Sequence, residues 1–125
     1  MKNILKLEAL GLFLLFTLIY FHFYQGQWEL FLGLFFVPDV SFAGYLISAT
    51  VGARIYNFMH HQGVMAVAIL CGWLLDVDLV FQMGLIFMAH SFFDRTLGYG
   101  LKFPDSFSHT HLGWIGKKAE EAERL

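Results

Sequence analysis

Three short segments carry the residue types that acid–base or metal chemistry requires: Pro38-Asp39, Tyr56-Asn57 with His60, and His90 with Asp94. On a helix, the four-residue step from His90 to Asp94 puts an imidazole and a carboxylate on one face. Asn57 and His60 follow Arg54 at three-residue steps and so form a second stripe, with Tyr56 beside it. Imidazole nitrogens and carboxylate oxygens are the donors that zinc or a similar divalent cation takes, three or four at a time. His60, His90 and Asp94 are therefore the candidate metal-ligating and catalytic groups. His111, in the loop that also holds His109, is a further donor able to close over them. Without a metal, the same set can bind a ligand, move protons or simply hydrogen-bond one helix to another.

Other chemistries find less support. The chain has no GxSxG, Walker, CxxC or HExxH pattern, and its single cysteine, Cys71, excludes a disulfide framework or a multi-cysteine metal site. If hydrolysis occurs, a water activated by a metal or a histidine is the credible nucleophile. The net charge of -2 gives no nucleic-acid footprint.

These groups sit in a very apolar chain. Of its 125 residues, 58% are hydrophobic, 14% are charged and 15 are phenylalanine, more apolar surface than so small an interior can hide. Four runs are long enough to cross a bilayer, about 5–24, 28–49, 52–75 and 78–101. The expected fold is all-α: one domain of four transmembrane helices, residues 102–125 forming an interfacial segment and a charged tail. The basic start is followed by bulky Tyr24, Gln25 and Trp28 and by no small-residue cleavage site, so the first run reads as a retained span. With both termini cytoplasmic, every lysine and arginine falls inside, while the two outer loops hold Glu29, Asp76 and Asp78. This predicts a multi-pass protein of the inner membrane. Trp28 and Trp73 fall at the outer interface, and Trp114 at the inner one.

Pro38 must break the second span, and Asp39 is expected to cap the helix that restarts after it. The turn between the second and third spans is short, so those helices are antiparallel neighbours. Counted inward from Lys102, Asp94 lies about 12 Å deep and His90 about 18 Å, with His60 on the next helix at a comparable level. Even lenient scales charge about 2.5–3.5 kcal/mol for one ionisable side chain at mid-membrane, so the polar groups are expected to converge. The expected result is one inward-facing pocket. Asp39, Tyr56 and Asn57 orient the central groups, Arg54 and Lys102 attract an anionic headgroup, and His111 closes the site. Gly44, Gly52, Gly84 and Gly98 are expected to let helices approach closely.

The segments VPDVSFAGYLI, RIYNFMHH and AHSFFDRTLGYGLKFPDSFSHTHLG resemble a family of small bacterial integral membrane proteins catalogued as a domain of unknown function. The likeness runs from about Leu7 to Gly116; it implies a fold class and a membrane location and no activity. The leading functional expectation is a membrane-embedded site for a small or lipid-like anionic ligand or a divalent metal such as zinc, with hydrolysis as one outcome. A structural subunit whose polar groups set helix register, and a small transporter working as a homodimer, are the alternatives.

Overall fold

The computed structural model describes residues 1–115, so the charged tail lies outside the described residues. It is mostly helical: α1 (Lys2–Phe23), α2 (Trp28–Phe35), a 3₁₀ segment (Val37–Leu46), α3 (Ala49–Met59), α4 (Gln62–Leu74) and α5 (Asp78–Thr96). A small hairpin of β1 (His109–Thr110) and β2 (Gly113–Trp114) closes the described chain.

Helix α5 is the centre. It packs against α1 on one side, α4 on another and α2 on a third. Gln82 and every residue from Gly84 to Ser91 are buried, so the helix is covered all round, as a long apolar run without an amphipathic stripe demands. The core gathers on it: Leu85, Ile86, Phe87, Met88 and Ala89 meet Tyr20, Phe31, Phe35 and Met65. Helix α1 is the opposite case. Only 11% of its apolar window is buried, and Leu7, Leu14, Leu15, Leu18 and Phe23 point away from the protein. Two stretches, Lys2–Phe23 and Trp28–Leu46, are long and apolar enough to cross a membrane.

The second span is broken, as its proline requires. Pro38 has no N–H, and α2 gives way to ten residues of 3₁₀ helix, an unusual length for that conformation. At three residues per turn, side chains three apart eclipse. Pro38, Ser41 and Gly44 are accordingly buried as one stripe, while Asp39, Phe42 and Tyr45 form the next. Asp39 caps nothing: its backbone N–H bonds to Phe36 at 3.1 Å, and its carboxylate turns inward instead.

The third apolar run differs from expectation too. It is two helices, α3 and α4, divided at His60-His61. His60 ends α3, and His61 Nδ1 accepts the Val64 N–H at 3.1 Å as the N-cap of α4. Ser48 caps α3 in the same way, through the Val51 N–H at 3.1 Å. The 3₁₀ segment and α3 pack against each other, as the short turn between them predicts.

Small residues set the helix spacing. A Cβ on Gly84 would lie 2.7 Å from Ile69 Cγ1 and 2.9 Å from its backbone nitrogen. One on Gly52 would meet the Tyr45 ring at 2.4 Å. Gly98 does something else: its φ of +92° ends the chain's run out of α5. Gly84→Val should therefore force α4 from α5 and destabilise the protein by about 1–3 kcal/mol, read as a lower unfolding midpoint in detergent. Gly11→Ala, where nothing lies within 4 Å, should leave that midpoint unchanged. Equal midpoints for both variants would contradict this packing.

Candidate functional site

The polar groups of three separate elements meet. Asp39 comes from the 3₁₀ segment, His60 from the end of α3, and His90 and Asp94 from successive turns of α5. His60 Nε2 lies 3.1 Å from His90 Nε2. Asp94 Oδ2 lies 3.2 Å from the first nitrogen and 3.3 Å from the second. Asp39 Oδ1 is 3.2 Å from His90 Nε2 and 3.8 Å from His60 Nε2. All four donor atoms lie within 4.8 Å of one another, a group able to hold a metal ion.

The surroundings fix which atoms face inward. His60 Nδ1 is 2.9 Å from the Tyr56 carbonyl, which only accepts, so Nδ1 carries the proton and a neutral ring presents a bare Nε2 to the centre. The ring is stacked on Tyr56 at 3.9 Å between centroids, with 16° between planes. Ser91 donates to the His60 carbonyl at 2.9 Å, which satisfies the group freed where α3 ends. The His90 ring stands edge-on to Phe35 at 4.9 Å.

Burial is graded across the cluster. Both imidazoles are 3% exposed, Asp94 is 16% and Asp39 is 39%. The nitrogens thus form the back of the site and the carboxylates its mouth. In front of them lies a cavity of ≈ 400 Å³ whose walls include Asp39, Asp94, Tyr56, Lys102 and the rings of Phe42 and Phe107.

The segment after α5 builds the far wall. Asn57 Nδ2 donates to the Lys102 carbonyl at 2.8 Å, and its Oδ1 accepts the Lys102 N–H at 2.6 Å. Asn57 is thus a clamp on the backbone of Lys102, and both of its amide atoms are taken up there. Lys102 itself is buried and donates through Nζ to the Phe107 carbonyl at 2.9 Å. Burial pushes its ammonium below the ordinary lysine range, and the Asp94 charge opposes that. Further out, His109 Nδ1 lies 2.9 Å from Asp105, which holds that exposed carboxyl below the usual carboxylate range.

A family model described as "Domain of unknown function (DUF4260)" matches residues 2–115. The chain belongs to this family. No curated protein and no solved structure matches it. For this DUF4260 chain the chemistry of the site must therefore be read from its own geometry.

Of the residues expected at the pocket, His60, His90, Asp94 and Asp39 come together, Asp39 as a fourth donor rather than a cap. Tyr56 and Lys102 line the cavity. Three residues are elsewhere, Asn57 being turned to the Lys102 backbone. Arg54 is exposed on α3 and borders no part of that cavity. His111 faces a different hollow with Glu8, Gln62 and Arg95, where its Nδ1 accepts the Leu101 N–H at 2.8 Å. It closes nothing over the cluster, because that bond fixes the ring against the Leu101 backbone. Gln82 is also separate: it joins Tyr20 at 3.2 Å and Asp78 at 2.6 Å in a polar layer nearer the start of α5, which Tyr24 completes through Asp78. Sequence reasoning passed over Ser91, although its place beside His90 turns it about 100° around the helix, toward α3.

Burial, reinforced by the Arg95 charge, pushes the His111 imidazole below the ordinary histidine range. A base with a depressed folded value contributes stability above its unfolded pKa, about 6.5, and loses it as pH falls through the folded value. A protonated Nδ1 also cannot accept from Leu101. Exchange protection of the Leu101 amide, corrected for intrinsic rate, should therefore drop between about pH 7.5 and about pH 5.5. That drop should be absent in His111→Gln; equal protection at both pH values in the native chain would refute the bond's role.

Proposed function

We propose that the chain is a multi-pass membrane protein that holds a divalent cation of the zinc class at His60, His90 and Asp94, with Asp39 beside it, and uses it to hydrolyse a small or lipid-like substrate. The approach of two imidazole Nε2 atoms to 3.1 Å carries the reading. At that distance the two nitrogens need a proton or a cation between them, and a carboxylate oxygen lies beside each. Donors bound to zinc tetrahedrally at about 2.0–2.1 Å stand about 3.3 Å from one another. His60, His90 and Asp94 present donors 3.1, 3.2 and 3.3 Å apart, and Asp39 lies 3.2 Å from His90.

A cation held there would act as a Lewis acid and ease deprotonation of water. The chain's own groups supply the remainder. His60 and His90 anchor the site from its dry side. Asp39, the most exposed of the four, is placed to take a proton from a water entering through the cavity. The apolar walls favour an occupant with a hydrocarbon body, and the polar mouth favours one with a scissile polar head.

The topology that goes with this is four spans: α1; α2 with the 3₁₀ segment; α3 with α4; and α5. It places both termini and the mouth of the site on the cytoplasmic side. Support comes from charge, since Lys2, Lys6 and Arg95 border one cleft at the end of the bundle where α5 finishes. In a Cys71→Ser background, Gln25→Cys and Leu75→Cys should react with an impermeant maleimide added outside intact cells, and Ser106→Cys should not. The reverse pattern would discard the orientation.

The metal is tested by elemental analysis of protein purified without chelator. The native chain should carry about one divalent ion, and His90→Ala and Asp94→Asn should each lose most of it while keeping the native helix content. Metal content unchanged in both variants, or none in the native chain, would end the reading.

A further inference from the structure

One feature of the cavity has no part in holding a cation. Lys102 is 5% exposed, yet among the described residues no carboxylate makes an ion pair with it. Lysine ordinarily extends its stem to bring the ammonium into water. Here it cannot, because Asn57 grips the backbone on both sides and Thr110 bridges to it. The ammonium is instead held 3.7 Å from the centre of the Phe107 ring and 4.9 Å from that of Tyr56. Among the described residues its three N–H groups make one hydrogen bond, to the Phe107 carbonyl.

Charge arithmetic then points to the occupant. A divalent cation balances the carboxylates of Asp39 and Asp94, and the two imidazoles are neutral. Lys102 remains as one uncompensated positive charge on the wall of the same cavity. Burying a cation without a counter-ion is expensive, and an anion arriving with the ligand removes that penalty. A lysine ammonium acts as a point charge well suited to phosphate. The other walls, among them Phe42, Phe93, Leu97 and Ile115, suit an apolar body.

Building on the metal reading above, we propose that Lys102 is the anion-binding residue of this cavity and that the ligand is a phosphate ester on an apolar carrier. Its phosphate would lie between the Lys102 ammonium and the open side of the His/Asp cluster. Arg54, exposed on α3, has no share in this.

The test uses the full chain in detergent, loaded with zinc, and calorimetric titration with two probes: inorganic phosphate, and phosphatidic acid in mixed micelles. The native protein should bind a phosphate probe, and Lys102→Met should bind it at least about tenfold more weakly. Lys102→Arg should stay within a few-fold of native. Zinc content equal to native in both variants shows that the cluster is intact. Tighter binding of phosphatidic acid than of inorganic phosphate identifies a lipid as the source of the group, and equal binding identifies a soluble ester. A zinc-loaded native chain that binds neither probe, or a Lys102→Met variant that binds as the native chain does, overturns the anion site and leaves the metal centre standing. A native chain that takes up no zinc overturns both.

Discussion

Everything in this protein is arranged around two imidazole nitrogens brought to 3.1 Å of each other in an apolar interior. Such a contact needs a proton or a cation between the nitrogens. It persists because each ring is fixed from behind, one by the Tyr56 carbonyl and ring and the other by Phe35, and because two carboxylate oxygens complete the group. The constraint runs outward from there. His60 sits where α3 stops and α4 begins anew, and Asp39 turns inward from the 3₁₀ segment that follows the break at Pro38.

The two breaks support one another. The 3₁₀ segment packs on α3, with Gly44 lying close over Gly52, so the elements carrying Asp39 and His60 are held against each other. Opposite them, α5 is pinned by α1 and α4. The Ser91–His60 hydrogen bond ties the two halves at the level of the cluster. Broken helices inside a membrane are tolerated where they are buried or border a polar hollow, and this one borders the ≈ 400 Å³ cavity.

Much of the site was legible in the residues alone. The i, i+4 pair on α5 and the i, i+3 stripe on α3, together with the penalty for lone ionisable groups in lipid, suffice to bring His60, His90 and Asp94 together. Asp39 was harder: Pro-Asp reads as a helix restart, and only the three-residue period of Pro38, Ser41 and Gly44 hints that the next turn is 3₁₀ instead. The division at His60-His61 left almost no signal, since the apolar run continues through it without proline and depends on a capping histidine and on Ser91 thirty residues away. Asn57 and His111 were misplaced for one reason. Their partners, Lys102 and Leu101, lie in a segment whose return path is set by tertiary contacts rather than by local pattern.

The central place of α5 also bears on how the molecule is made. Synthesis proceeds from the N-terminus, so Asp39 and His60 enter first and wait while α4 is completed. His90 and Asp94 arrive together on the last helix, and the Lys102 wall follows a few residues behind. A nascent chain that has not yet received α5 holds only Asp39 and His60 of the cluster. The finished cluster therefore exists only once α5 has been added to the chain.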